Sequence, residues 1–567
     1  MRMPTDSRRL GLGVRRGIRN PARTRFSRLS VGLLGVLGVL LVAAVLADAP
    51  GGGVVKAAGA TELPDGGAPS LAGSASNAPA GESAAPAVAP GADVQDDAAP
   101  SEAAGGAPAE PPRRCLPRFP SDPQVSDPSP AAVAVELSRA MYDCASEVGL
   151  AFATDAEAIA ALLSRGLGGP LLLVDGWFDD ALIGEIVRLA PERIVLAGFH
   201  ERILPRSLAG LDVEPVPVDP SATVAPDVAG HDRLWIVDDA DAAAALAALG
   251  HPIGVGAVAV SGDFRAASPE IRARIAAAAE VELLSNFGED AAWQLEVVRR
   301  GEELPGGGLL MFDIDPARRL VAMYGHPASS GLGVLGEQGA AAGVERLKQI
   351  VVGYGEDGAR VVPTFEIITT VASAHPGPDG DYSSETARDV IRPWIEIAAA
   401  NEMYVVLDLQ PGRTDFLTQA KIYEEFLRLP HVGLALDPEW RLKPHQVHMR
   451  QVGTVDAAEI NQVSEWLAAL VRREALPQKL VVLHQFEWKM ITNRHLIETP
   501  PELAVLIHMD GFGTQGVKQS TWNVLTAAPD ADKFWWGWKN FYDEDTPTAR
   551  PDRVLGLTPP ALFVSYQ

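Results

Sequence analysis

Two acidic residues stand two positions apart at the end of an apolar run, in the segment GLALDPEW. They are Asp437 and Glu439. Because side chains alternate along a strand, residues at i and i+2 project to the same side, and Pro438 between them stiffens the turn. Two carboxylates held this close resist ionising together, which leaves an acid beside a base near neutral pH. Glycoside hydrolysis needs such a pair, so the pattern predicts Glu439 as a general acid and Asp437 as the group that orients or stabilises a reacting sugar.

Other polar and aromatic residues follow apolar runs along the same half of the chain. Carboxylates, amides and histidines can exchange hydrogen bonds with sugar hydroxyls, and the flat faces of tryptophans can stack on sugar rings. We therefore predict a substrate-binding set around the acidic pair. It consists of His326, Glu366, Asp408, Gln410, Trp440, His484, Gln485, His508, Asp510, Trp536 and Tyr566.

Three of these residues suggest a second type of chemistry, metal-dependent hydrolysis. They are His326, His484 and His508. With Asp510 they are similar to the metal ligands of amidohydrolase barrels. Those barrels carry H-x-H on the first strand and an Asp after the eighth, where this chain has Tyr324-Gly325-His326 and Ser565-Tyr566. The prediction is therefore no metal and no cofactor, with a metal-dependent amidohydrolase-like hydrolase kept as an alternative. A serine esterase is disfavoured because G-x-S-x-G does not occur.

The elements that must position these residues form a repeated pattern between Arg319 and Gln567. Eight short, β-rich apolar runs each end in polar or aromatic residues, and helical segments such as GVERLKQIVVGYG and AAEINQVSEWLAALVRRE separate several of them. Strand, crossover and parallel strand repeated eight times is what a (β/α)8 TIM barrel requires, and such barrels carry their chemistry at the carboxyl ends of the strands. We predict this barrel at 309–567. The runs are RRLVAMYGHP, ARVVPTFEI, MYVVLDLQP, VGLALDPEW, KLVVLHQF, LAVLIHMDG, KFWWGWKNF and ALFVSYQ.

The D-x-E at the end of the fourth strand resembles the close of the D-x-x-D-x-D-x-E motif of chitinase-like glycoside hydrolases. That family uses the N-acetyl group of its own substrate. The two upstream aspartates of the motif would fall at Val432 and Ala435. The resemblance implies a carbohydrate-active barrel and leaves the specific family open.

The region 113–308 alternates helical and strand patterns and predicts an open α/β sheet with parallel strands. It has no GxGxxG after a strand and no GxxxxGK[ST], so nothing indicates a nucleotide site. Within it, Gly169-Pro170-Leu171-Leu172-Leu173, then Glu185-Ile186-Val187-Arg188-Leu189, Pro191 and Gly198 resemble the type-2 cell-wall-binding repeat of Gram-positive surface proteins. The match covers about residues 150–205, and it implies attachment to a cell-wall or surface polysaccharide.

The N-terminus predicts export. Residues 1–29 hold nine arginines against one acid, for a net charge of +8, and an apolar run follows within 30–47. This order keeps a basic tail in the cytoplasm and sends the rest outward, through either a cleaved signal peptide or a retained membrane anchor. Residues 48–112 are dominated by Ala, Gly, Pro, Ser and Asp, which predicts a disordered linker that reaches into the envelope. High Ala, Gly and Arg content suggests a GC-rich bacterial genome.

Charge and cysteine content complete the prediction. The chain carries −25 and its basic tail +8, which leaves −33 from residue 30 onward. Such an acidic body repels phosphates, so nucleic acid is an improbable partner. The chain has two cysteines, Cys115 and Cys144, and in an exported protein these are expected to pair.

Three functions therefore stay open for an exported cell-envelope protein. Its barrel binds and hydrolyses a surface or cell-wall glycan, or it is a non-catalytic glycan-binding module, or it is a metal-dependent hydrolase. The first is the reading we prefer, because of the paired acids.

Overall fold

A computed structural model describes residues 129–220 and 232–567, together with Cys115, Pro117, Arg118 and Asp127. The predicted tail at 1–29, the apolar segment at 30–47 and the linker at 48–112 lie outside the described residues. Among the described residues, no helix is both long enough and apolar enough to cross a membrane. Cys115 and Cys144 are both disulfide-bonded, and neither is a free thiol.

The first folded part is a parallel four-stranded sheet with the order β2-β1-β3-β4. Its helices begin where a side chain accepts a hydrogen bond from a first-turn N–H, namely at Ser129, Asp155 and Asp179. The strands are β1 (Glu147–Phe152), β2 (Leu171–Val174), β3 (Arg193–Leu196) and β4 (Asp212–Pro215), and the helices are α1 (Pro130–Met141), α2 (Ala156–Arg165) and α3 (Asp180–Leu189).

A second, three-stranded parallel sheet follows, with the order β6-β5-β7. Its elements are β5 (Arg233–Val237), β6 (Val255–Ala259), β7 (Glu280–Leu283), α4 (Ala240–Gly250), α5 (Pro269–Ala277) and α6 (Ala291–Arg300). The prediction of one open sheet at 113–308 is therefore corrected to two separate parallel sheets. Alternation along β5 explains the arrangement, because Trp235 and Val237 join the core of the first sheet, while Leu234 and Ile236 join the core around the barrel. The domain boundaries at 113 and 308 stay predictions.

The rest of the chain forms the predicted TIM barrel, and all eight apolar runs are strands of it. Every neighbouring pair of these strands is parallel, and the eighth strand pairs with the first, so the barrel is closed. The eight barrel strands are β8 (Arg318–Gly325), β9 (Arg360–Ala372), β11 (Tyr404–Leu409), β12 (Val432–Leu436), β14 (Lys479–His484), β16 (Leu503–Met509), β17 (Trp535–Asn540) and β18 (Phe563–Tyr566). Three short strands lie between them in the chain, namely β10 (Ser383–Glu385), β13 (Val455–Asp456) and β15 (Ile491–Thr492).

Helices cover the outside of the barrel. Before the fourth strand, two short helices are separated by Tyr423. The longest helix follows that strand and begins at Asp456, whose carboxylate accepts the N–H of Ala458. The helices are α7 (Ala340–Ile350), α8 (Arg388–Ala400), α9 (Phe416–Ile422), α10 (Glu424–Leu427), α11 (Ala457–Arg473), α12 (Gln515–Thr526) and α13 (Pro551–Leu555).

The lower barrel interior is apolar. Leu320, Tyr404, Val482 and Phe563 pack there against Met311, in the segment that precedes the first strand. All are nearly fully buried, so packed side chains close this end of the barrel and leave no pore. The polar residues of the site stand on the strands above it.

Gly537 lets this interior close, because it gives its neighbours the room that a side chain would take. A Cβ built there would lie 2.8 Å from the His508 ring and 2.9 Å from the carbonyl oxygen of Phe563. We expect Gly537→Ala to lower the free energy of unfolding by about 1–3 kcal/mol through overpacking, measured by urea denaturation. Gly184→Ala is the matched control: it lies on exposed α3 with nothing within 4 Å, and it should be stabilising by about 0.5–1 kcal/mol. Equal stability of wild type and Gly537→Ala would contradict the close packing.

Candidate active site

A cleft of about 450 Å³ opens at the carboxyl end of the barrel. Both predicted catalytic acids line it, with Gln410, Trp440 and Asp510 of the predicted binding set. Apolar side chains supply much of the remaining wall. The full lining is Tyr324, Leu332, Ile368, Val371, Ala372, Ser373, Ala374, His375, Ser384, Gln410, Asp437, Glu439, Trp440, His448, Met449, Phe486, Asp510, Phe512, Lys539, Phe541, Glu544 and Gln567.

The floor of the cleft is polar, and each of the eight strands contributes to it. Because side chains alternate along a strand, these residues point into the barrel, on the same side as the apolar residues below them. All are at least nine-tenths buried. In strand order they are Tyr324, Glu366, Asp408, Asp437, His484, His508, Lys539 and Ser565.

His484 is the centre of this floor. Its Nε2 lies 3.0 Å from Glu366 Oε1, and its Nδ1 lies 3.0 Å from Asp510 Oδ2. Burial opposes a charge on the ring, but the hydrogen bonds to Asp510 and Glu366 outweigh it and raise the pKa of His484 well above its usual value. Both ring nitrogens therefore donate, and His484 is an imidazolium between two carboxylates.

Asp510 responds in the opposite direction. Its own burial would raise the pKa, but the hydrogen bond and the charge of His484 hold the pKa of Asp510 below the usual value. Asp510 is therefore ionised at neutral pH. Since it also lines the cleft, it presents a fixed negative charge to a ligand.

A second group on the floor contains Tyr324, Asp408 and Gln410. The Tyr324 hydroxyl donates to Asp408 Oδ2 at 2.9 Å, and Gln410 Nε2 donates to the Tyr324 oxygen at 3.3 Å. Burial raises the pKa of Asp408 to about 6, with the charge of Glu366 acting in the same direction. Asp408 thus orients the Tyr324 hydroxyl, which in turn accepts from Gln410, and both Tyr324 and Gln410 line the cleft.

Asp437 and Glu439 follow β12 on a short turn, Pro438–Trp440, and both open into the cleft as their spacing predicts. Burial and the negative charge of Asp510 raise the pKa of Glu439 to about 8. Burial and the neighbouring Glu439 raise the pKa of Asp437 well above its usual value. Both are therefore protonated at neutral pH, whereas Asp510 is the ionised carboxyl.

Lys539 and Tyr324 are site residues that the sequence reasoning missed. The Lys539 ammonium lies 3.5 Å from the centroid of the Tyr324 ring, in cation–π contact. Lys539 lies in the tryptophan-rich run of strand seven. Alternation along that strand places Gly537 and Lys539 on one side and Trp536 and Trp538 on the other, and this pattern could have identified Lys539 as a site residue. Phe512 and Phe541, whose ring centroids are 5.8 Å apart, form an aromatic wall that was also missed.

Three predicted binding residues lie outside the cleft, because the alternation along their strands directs their side chains outward, toward the surrounding helices. Trp536 is 3% exposed and packs on Trp522 of α12 at 5.8 Å. Trp536 therefore does not provide the surface on strand seven on which a sugar ring was expected to stack. Gln485 accepts a hydrogen bond from Arg494, and the Tyr566 hydroxyl lies 2.6 Å from that of Tyr354 in the outer core.

None of the three predicted histidines lines the cleft, and His484 lies in its floor as described above. His326 Nε2 lies 2.9 Å from the Thr386 hydroxyl above the first strand. His508 is buried in the floor, edge-on to the His484 ring at 5.1 Å, with Nε2 3.3 Å from Ser565 Oγ. Burial and the charge of His484 hold the pKa of His508 well below its usual value, so this ring is neutral.

Ligand atoms of Glu366, His484 and His508 lie within 4.8 Å of one another and could hold a metal ion. Glu366 Oε2 and His508 Nδ1 are buried there without a hydrogen-bond partner among the described residues. In its present contacts His484 donates from both nitrogens, so a metal would have to displace one of its carboxylate partners. These residue types are ones that ligate metals, whereas the hydrogen bonds that His484 makes are those of a buried ion pair.

Comparisons with known proteins add little. No family model matches the chain, and no curated protein matches it. Among solved structures, the chain is similar to Cwp6 from Clostridium difficile at 12% identity and a TM-score of 0.18, over 55% of this chain and 62% of that one. The chain thus matches less than two thirds of that structure's length. The similarity is too weak to support an inference about fold or function, so the (β/α)8 class is defined by the strand pairings of the chain itself.

Proposed function

We propose that the barrel hydrolyses a glycan of the cell envelope by acid-assisted cleavage of a glycosidic bond. The observation that carries this proposal is a pair of carboxyls on one cleft whose pKa values move in opposite directions. Glu439, with a pKa of about 8, holds a proton at neutral pH, while Asp510, with a lowered pKa, holds a charge. Divergent carboxyls of this kind supply the acid and the anion that glycoside hydrolysis requires.

In the proposed reaction, Glu439 donates its proton to the leaving glycosidic oxygen. The bond between that oxygen and the anomeric carbon breaks, and Asp510 stabilises the positive charge that develops on the sugar ring. Water then adds to the anomeric carbon, and the proton that it loses returns to the Glu439 carboxylate. His484 positions Asp510 and keeps it ionised, and His484 does not touch the substrate itself. Of the two roles predicted for Asp437, a protonated carboxyl favours orienting the sugar, because it donates a hydrogen bond to a sugar hydroxyl and does not oppose a positive charge.

The cleft wall supports a sugar as ligand. Trp440 and the Phe512–Phe541 pair offer flat apolar faces, and Gln410, Ser373 and Ser384 offer hydroxyl-sized hydrogen-bonding groups. The envelope location in this proposal rests on the arginine-rich N-terminus and on the resemblance of residues 150–205 to a wall-binding repeat.

Purified full-length protein, incubated with a panel of cell-wall and capsular glycans, is expected to release new reducing ends. The kcat/KM profile should fall as pH rises through about 8, because the raised pKa keeps the acid form of Glu439 up to that pH. At the acidic side activity should persist below the ordinary pKa of an aspartate, because the pKa of Asp510 is lowered. An alkaline limb near pH 4–5, typical of an unperturbed glutamate, would contradict the acid role.

A metal-dependent hydrolase is the second candidate, favoured by the cluster Glu366, His484 and His508. The same assay separates the two. Dialysis against a chelator should leave the acid-assisted reaction intact, whereas it should remove the activity of a metal enzyme, and zinc should restore it. Binding of a glycan without release of reducing ends would instead favour the non-catalytic module.

A further inference from the structure

Acidic groups outnumber basic ones in the lining of the cleft. Four carboxyls line it, those of Asp437, Glu439, Asp510 and Glu544, against one ammonium, that of Lys539. Two further carboxyls, Glu366 and Asp408, lie buried in the floor directly behind. Hydroxyls of a neutral sugar need hydrogen-bond partners but no excess of acidic groups.

Several acceptor atoms of these carboxyls are unused by the protein. Asp510 Oδ1 is a buried acceptor without a hydrogen-bond donor among the described residues, and Asp437 Oδ1 is buried there without a partner of either kind; both residues line the cleft. Glu366 Oε2 and Asp408 Oδ1 are in the same condition in the floor. Buried acceptors are costly without a donor, so the arrangement favours a ligand that brings donors.

The nearby cations already have partners of their own. Lys539 lies over the Tyr324 ring, and His484 lies between Glu366 and Asp510. His448 Nε2 contacts the carbonyl oxygen of Tyr382, and burial lowers the pKa of His448, so it adds no charge near neutral pH. His375 on the outer wall is the remaining titratable base that lines the cleft.

The titration of the acids agrees with this imbalance. Burial raises the pKa values of Glu439, Asp437 and Glu544, and negative neighbours act in the same direction on each of the three. A cation that binds beside Asp437 or Glu544 favours the ionised form of that carboxyl, so its binding would release a proton.

We propose that the substrate is an amino sugar polymer with free amino groups, so that a sugar ammonium occupies the acidic side of the cleft. This inference rests on the proposed function and names its substrate class. An ammonium supplies three N–H donors and one positive charge, which match the unused carboxylate oxygens. A positive group on the sugar ring also makes the developing charge at the anomeric carbon costlier, and the carboxylate of Asp510 offsets that cost.

The test uses one batch of glucosamine oligosaccharides of defined length, half of which is chemically re-N-acetylated. The two halves share length and linkage and differ in charge. Isothermal titration calorimetry with the full-length protein should show at least about tenfold tighter binding of the free amine form. This preference should shrink when NaCl rises, because the attraction is electrostatic.

Glu544→Gln tests the same point by removing one acid from the rim. It should weaken binding of the amine form and leave the N-acetylated form unchanged. Glu465→Gln, on the exposed face of α11, is the matched control and should change neither.

The outcomes separate the two proposals. Tight binding of the amine form without cleavage upholds the cationic ligand and overturns the hydrolase. Cleavage of neutral glycans with no preference for the amine form upholds the hydrolase and overturns the cationic ligand. Equal binding of both forms, or binding of neither, also overturns the cationic ligand.

Discussion

Glu439→Gln should reduce kcat on a cleaved glycan by about 10²–10⁴-fold, the usual contribution of a general acid. Glutamine keeps the size of the side chain and its hydrogen-bonding capacity, but it has no proton to give to the leaving oxygen. Because Glu439 is protonated and half-buried in the native state, the neutral amide should also cost little stability. Binding of the intact glycan should therefore change by less than about tenfold.

The measurement combines initial rates, glycan binding by calorimetry and thermal unfolding of the same preparations. Glu465→Gln is the control for the substitution itself, since that side chain is exposed on α11. Asp437→Asn is the informative comparison, because it removes the other acid of the pair. If Asp437→Asn loses the larger factor, the acid has been assigned to the wrong carboxyl. If Glu439→Gln keeps full activity, acid catalysis from this cleft is refuted.

The barrel could be predicted because parallel strands buried on both faces read as continuous apolar runs. RRLVAMYG and KLVVLH are examples, and each became a strand with every residue buried. The joint placement of Asp437 and Glu439 could be predicted because both directly follow the fourth strand at its carboxyl end, although they lie on a short turn rather than on the strand itself.

Contacts between strands could not be predicted in this way. Whether His484 lies against Asp510 or against another acid depends on the stagger of the barrel, which no single run encodes. The low pKa of Asp510 and the high pKa of Glu439 both follow from those contacts, so the roles of the acids became clear only with the structure.

The tryptophans of strand seven show a different difficulty. Alternation puts Trp536 and Trp538 on one side and Gly537 and Lys539 on the other, but it does not say which side is inward. Chemical analogy favoured the aromatic side as a sugar platform. The structure places the lysine inward because the tryptophans fill the gap beneath α12, where Trp522 packs against both.

The split of the predicted open sheet depends on a similar non-local choice. The segments of β1–β4 and β5–β7 share the same helix and strand periodicity, so the sequence gives no reason to separate them. β5 pairs with β6 and β7 only, and its two faces enter two different cores. Such a partition reflects how the sheets pack together rather than any local pattern.

His484→Gln should destabilise the fold by about 3–5 kcal/mol, because removing one partner of a buried ion pair leaves the others uncompensated. Here the others are Glu366 and Asp510, each 3.0 Å from a His484 nitrogen. The raised pKa of His484 contributes stability below its unfolded value of about 6.5, and this is lost as pH rises through the higher folded value. The lowered pKa of Asp510 contributes stability above about 3.9, and this is lost as pH falls through the folded value. The deficit of the variant in urea unfolding should therefore be largest between about pH 4 and pH 6.5, where both contributions are fully present.

The same substitution should move the acidic limb of the kcat/KM profile to higher pH, because Asp510 loses the hydrogen bond and the positive charge that keep it ionised. A residue that served packing alone would lower stability without moving that limb. His508→Gln is the matched control, since it removes a buried but neutral ring from the adjacent strand, at the register position beside His484. It should leave the acidic limb in place and, with no ion pair broken, cost less stability. If His484→Gln leaves the limb where it is, or if His508→Gln moves it equally, then His484 does not set the ionisation of Asp510, and the anion of the proposed mechanism must be sought elsewhere in the cleft.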